Sequence, residues 1–134
     1  MEAGISKDPY QYSGLALAYI GDSALDLYVK DYFVRRYETQ TEKYHKEVTA
    51  IVKAVNQAAF ADTIMDSLSE RETDIFKRGR NAQPHSKAKN ATRSEYRRAT
   101  GLEALFGYLY LAGEKERFNE LADAMIAQYL VKED

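Results

Sequence analysis

Two carboxylates interrupt runs that are otherwise apolar. Asp22 falls in "GLALAYIGDSALD", with Gly21 before it and Ser23 after it. Glu103 falls in "ATGLEALFGYLYL", among Leu102, Leu105, Phe106 and Leu109. Helical spacing puts Asp22 and Asp26 on one face, with Ala18 a turn earlier, and Thr100, Glu103 and Gly107 on another. Both acids are expected on or beside the buried side of their helices. Burying an ionised carboxylate is costly, and two close together repel until one takes up a proton. A divalent cation removes both costs, and hard oxygen donors favour Mg²⁺ or Mn²⁺. The residues alone also allow a plainer arrangement, with Asp22 hydrogen-bonded to a nearby backbone and Glu103 solvated at a helix boundary. Gly21 and Gly107 bear on the choice. A glycine inside a helix costs about 0.5–1 kcal/mol against alanine, a cost that close helix packing or close substrate approach would explain.

The elements that must position these acids read as helices. Apolar residues recur at three and four, no useful alternating run appears, and the chain has only two prolines. The fold class is therefore all-α. Ser13 is the expected N-cap of a first helix reaching about Arg36. Thr39 or Thr41 is expected to cap the next segment, with Val48, Ile51, Val52, Val55 and Ala59 as one stripe. Ser69 and Glu72 fit a capping box, and Gly79 is expected to stop that helix. The stretch "RNAQPHSKAKNATRSE" lacks periodicity and is long for a connection without a task. A strong apolar helix then runs to about Ala112-Gly113. The last helix presents Phe118, Leu121, Ala122, Met125, Ile126 and Tyr129 on one face.

Length and composition suit one domain over residues 1–134, with a short loose arm over about 1–9. The 134 residues are 45% apolar and include no cysteine, which excludes disulfides and thiolate metal sites. No run approaches the roughly 20 apolar residues of a membrane span. The N-terminus lacks a basic-then-apolar signal pattern, so a cytoplasmic location is expected. Net charge is −2, yet its distribution is uneven: residues 77–98 carry +7 and the rest of the chain −9. A segregated basic segment can attract phosphate locally; a solvated basic loop fits the charge count equally well.

"LALAYIGDSALDLYV" resembles the signature helix of the ribonuclease III family, and "LEALFGYLYLAG" resembles that family's second acidic motif. "KRGRNA", then "KN", then "YRRATGLEALFGYLYL", together with "YHK" at 44–46, resembles its short bacterial form, Mini-ribonuclease III, which lacks a separate double-stranded RNA-binding domain. The likeness runs from about Leu15 to Arg117. Asp22 matches the signature aspartate and Glu103 the second-motif glutamate. Ala18 and Thr100 stand where full-length members carry two further acids, and the short form is similar to this chain at Thr100. Ala88 stands where the short form often has proline, and Thr92 where an acidic residue is expected.

The resemblance implies a ribonuclease III-like helical endonuclease domain. It implies Mg²⁺-dependent cleavage of double-stranded RNA, leaving 5′-phosphate and 3′-hydroxyl ends, with Asp22 and Glu103 as catalytic and metal-binding residues and Mn²⁺ as a substitute ion. Processing of the 23S ribosomal RNA precursor, a homodimer and a ribosomal protein that presents the substrate are the associated partners. Arg78, Arg80, Lys87, Lys89, Lys46 and Arg97 are the expected RNA contacts, with Asn81 and Asn90 positioning the loop or meeting 2′-hydroxyls. Leu15, Ala16 and Tyr19 are candidates for the dimer interface, or equally for the chain's own core. Ala18 and Thr100 leave a second reading open: a structured-RNA-binding scaffold with weak or lost catalysis.

Overall fold

A computed structural model describes residues 7–82 and 91–133, and among these it contains helices and no strand. Six α-helices follow one another: α1 Gly14–Arg36, α2 Thr41–Val52, α3 Ala54–Ile64, α4 Glu70–Arg80, α5 Arg93–Leu111 and α6 Lys115–Glu133. Among the described residues no helix is long and apolar enough to cross a membrane.

Helix α5 is the axis of the molecule. It packs chiefly on α1, then on α4 and α3. From Ala99 to Leu109 every residue is buried except Glu103, which is half-buried. A helix apolar on all sides belongs inside a bundle, so the one acid in that stretch is conspicuous. Around it lie Leu17, Leu25, Val29 and Phe33 of α1, Phe60 and Ile64 of α3, and Ile75 and Phe76 of α4. Helix α6 closes the core with all six residues of its expected face buried. Phe118 meets Phe106 edge-on, with ring centroids 5.0 Å apart.

Local chemistry fixes most helix ends. Ser13 Oγ accepts from the Ala16 amide at 3.1 Å, which starts α1. Ser69 and Glu72 form the expected capping box on α4. Glu72 also pairs with Arg117 through two nitrogens, at 2.9 and 3.0 Å, tying α4 to α6. Thr92 and Glu95 form a second capping box, which starts α5. This gives Thr92 a structural use at a position where an acidic residue was expected.

Three expectations need correction. Gln40, not Thr39 or Thr41, occupies the N-cap of α2, and no side chain caps that end. The stripe from Val48 to Ala59 is not continuous. Lys53 is extended (ψ 154°) and divides α2 from α3. Phase is lost there: Val48 and Ile51 are buried in α2, whereas Gln57, Ala58, Phe60, Ala61 and Ile64 are buried in α3. Gly79 does not stop α4, which runs on to Arg80 with Asn81 as its C-cap. Gly79 is a contact glycine instead, since a Cβ there would lie 2.6 Å from Ala104 Cβ and 2.9 Å from the Thr100 carbonyl oxygen.

Candidate active site

The site begins with two glycines. Gly21 of α1 and Gly107 of α5 face one another where the helices cross. A Cβ on Gly21 would overlap the Glu103 carbonyl oxygen and lie 2.6 Å from the Gly107 nitrogen, and one on Gly107 would overlap the Leu17 carbonyl oxygen. Only hydrogen fits on either side. The close approach brings the residue after Gly21 beside the residue one turn before Gly107, and these are Asp22 and Glu103.

Asp22 is exposed and Glu103 half-buried. The expectation that both acids lie toward the buried side therefore holds only for Glu103. Asp22 stands on the solvent face of α1, and the crossing turns Glu103 outward to meet it. The carboxyls are in hydrogen-bonding contact. Burial, and then the charge and hydrogen bond of Asp22, push the Glu103 carboxyl up to about 8. Glu103 is half-buried against Asp22 and is not solvated at a helix boundary, as the plainer arrangement would have it.

A third group was not foreseen. Gln57 of α3 is 1% exposed. Its Nε2 donates to the Val52 carbonyl oxygen at 2.6 Å and to Glu103 Oε2 at 3.3 Å. The available signal was a polar residue inside "AVNQAAFA", which the single-stripe reading of α2 and α3 hid.

The oxygen donors that share a helix face with the two acids are engaged elsewhere. Thr100 is buried and its hydroxyl donates to the Tyr96 carbonyl of its own helix at 2.9 Å. Asp26 pairs with Lys30 at 2.8 Å. Ala18 is a buried methyl. Among the described residues no group of three or more His, Cys, Asp or Glu side chains gathers. Two carboxylates suit Mg²⁺, which keeps several waters and is commonly held by one or two carboxylates plus substrate phosphate. The donor set fits such an ion.

The basic residues separate into three groups. Arg80, Asn81, Arg93, Ser94, Arg97 and Arg98 line a recess of about 550 Å³ between the end of α4 and the start of α5. Arg93 and Arg98 join residues already singled out, although Asp62 pairs with Arg98 at 3.2 Å. Arg78 is turned inward. Its Nη1 donates to the carbonyls of Tyr10 and Tyr12 at 2.6 and 3.0 Å, its Nη2 meets Asp74 at 2.7 Å, and its guanidinium lies 4.8 Å from the Tyr10 ring centroid. This engagement gives Arg78 a structural task, clamping the segment before α1 onto α4. Lys46 lines a separate recess with Phe33, Tyr37 and Lys43, which shares no residue with the arginine recess. Lys87, Lys89 and Asn90 lie outside the described residues.

Leu15, Ala16 and Tyr19 do not fill the chain's own core. All three are exposed, Tyr19 to 82%. Leu27 and Val34 extend this apolar stripe along α1, and Asp22 lies within it.

The site is thus two carboxyls facing one another across a glycine crossing in an all-helical bundle. The Ribonuclease III domain family matches residues 15–114. A Mini-ribonuclease 3 of Enterococcus faecalis is 44% identical over 117 residues, covering 86% of this chain and 89% of that protein. One from Clostridium tetani is 40% identical, covering 92% and 82%. A crystal structure of a Fusobacterium nucleatum protein superposes with a TM-score of 0.83 at 32% identity, covering 91% of this chain and 99% of that one. The chain belongs to the ribonuclease III family, in its Mini-ribonuclease 3 branch. It is an endoribonuclease.

Proposed function

We propose that the protein cuts double-stranded RNA as a homodimer, using Mg²⁺ held by Asp22 and Glu103. Mn²⁺ would substitute. The contact between the two carboxyls carries this reading, because the pair destabilises the ion-free fold and suits a divalent cation. Such an ion, when bound, acidifies a water and neutralises charge on the phosphate. The protein's part is to keep two oxygens fixed on the rigid crossing of α1 and α5.

Duplex RNA is recognised largely through its backbone and 2′-hydroxyls. Arg80, Arg93 and Arg97 are well placed to meet phosphates, with Asn81 beside them. Lys87, Lys89 and Asn90, between α4 and α5 in the sequence, are proposed as further RNA contacts. Lys46 would contact RNA only farther away. The exposed apolar stripe on α1 would form a two-fold interface, and two sites related by that axis match the antiparallel strands of a duplex. The proposed substrate is the 23S ribosomal RNA precursor in the cytoplasm, with a ribosomal protein as presenting partner.

Incubation of a long duplex RNA with Mg²⁺ or with EDTA tests the reaction. Mg²⁺-dependent fragments with 5′-phosphate and 3′-hydroxyl ends support it, whereas cutting in EDTA or 2′,3′-cyclic ends refute it. Buried Ala18 and the engaged Thr100 favour a second reading, an RNA-holding scaffold with weak or lost catalysis. Tight, salt-sensitive binding without cleavage would select it.

A further inference from the structure

Gln57 is a buried polar group that the proposed reaction does not use. Its amide spans two places. One is the break between α2 and α3, where extended Lys53 leaves helix-terminal carbonyls needing donors. Asn56 Nδ2 satisfies Ile51 at 2.7 Å, and Gln57 Nε2 satisfies Val52 at 2.6 Å. The second place is Glu103 Oε2, which Gln57 Nε2 reaches at 3.3 Å and Asn56 is not seen to reach. Among the described residues, Gln57 Oε1 is buried without a hydrogen-bond partner. A buried amide left half satisfied is costly, and an apolar side chain of similar shape would avoid that cost.

We propose that Gln57 is a positioning residue: its amide, anchored on the Val52 carbonyl, holds the Glu103 carboxylate toward Asp22. This rests on the reading of Asp22 and Glu103 as the metal-holding pair. Asn56 supplies an internal control, because it bridges the same helix break and is not seen to touch the pair. Groups that orient a metal ligand typically change metal affinity by about 10–100-fold when removed.

The test compares Gln57→Met, Asn56→Ala and Asp22→Asn with the wild type. Three quantities are read: the Mg²⁺ concentration giving half-maximal cleavage of duplex RNA, calorimetric Mn²⁺ affinity without RNA, and thermal midpoint. Gln57→Met should raise the Mg²⁺ requirement and weaken Mn²⁺ binding, each about tenfold or more. Asn56→Ala should lower the thermal midpoint and leave both metal readouts near wild type. A Gln57→Met protein with wild-type Mn²⁺ affinity and Mg²⁺ requirement overturns the inference. If wild type binds Mn²⁺ and Asp22→Asn does not, that result discards the Gln57 role alone. If wild type binds no ion, the metal-holding pair fails and this inference with it. Should Gln57→Met not fold, the wild-type Gln57 side-chain amide is followed by NMR during Mg²⁺ addition. Its signal should shift with the midpoint of the cleavage titration, and an unmoved signal overturns the inference.

Discussion

Gly21 and Gly107 meet backbone to backbone, and that contact sets the distance between Asp22 and Glu103. The metal-holding pair proposed here therefore depends on two residues with no chemistry of their own. Any side chain at either position must part α1 from α5 along the most buried seam of the molecule.

Gly21→Ala should accordingly be severe. Overpacking a tight core contact typically costs about 1–3 kcal/mol. A methyl that collides with backbone, which cannot swing aside, belongs at or above the top of that range. Thermal unfolding should show a midpoint lower by about 10 °C or more, or no cooperative transition. A near wild-type midpoint would mean that the helices separate easily.

Glu103 makes the ion-free protein less stable as pH rises. Its carboxyl is raised from an ordinary 4.5 to about 8, by burial first and Asp22 second. Below about pH 4 it is protonated in folded and unfolded chains alike. Between about 4.5 and 8 the unfolded chain gives up its proton first, so stability falls with rising pH. Glu103→Gln should match wild type near pH 4 and melt higher than wild type at pH 8 in EDTA. Mg²⁺ should restore wild-type stability at pH 8 and leave the variant unchanged. Melting curves across pH, with and without Mg²⁺, check both signs.

Arginines on the two sides of α4's last turn should behave differently. Arg80→Ala with Arg97→Ala should weaken RNA binding and lower the slope of log affinity against log salt by about one per lost phosphate contact. Arg78→Met should leave that slope unchanged and lower the melting temperature, because it releases Tyr10 and Tyr12. Filter binding across a salt series separates the two.

Tyr19 is the most exposed large apolar side chain of α1. Tyr19→Glu should leave the fold intact and convert a dimer to a monomer in sedimentation velocity. A wild type that sediments as a monomer, or a variant that remains dimeric, would remove this stripe as the interface.

Much of this was readable along the chain. The Ser13 cap, the Ser69–Glu72 box and the buried face of α6 follow from side chains within a few residues of one another, and the structure has them where spacing puts them. Features set by distant partners were not readable in this way. Gly79 has the local mark of a stop, yet its use is decided by Ala104 and Thr100, some 20 residues away. Arg78 carries a charge that suits phosphate, but two carbonyls before α1 engage it. Gln57 has meaning only once α3 lies on α5. Asp22 and Glu103 were legible because each breaks its own apolar run. That they face one another is a property of the glycine crossing.

Asp22 is proposed to act through a bound ion and not through RNA affinity. The most direct measurement compares wild type with Asp22→Asn on one long duplex RNA, recording cleavage rate in Mg²⁺ and binding in EDTA. Cleavage should fall by about 100-fold or more, beyond what loss of an outer-shell partner costs, while binding and its salt dependence stay near wild type. An Asp22→Asn protein that cuts at the wild-type rate would contradict that role.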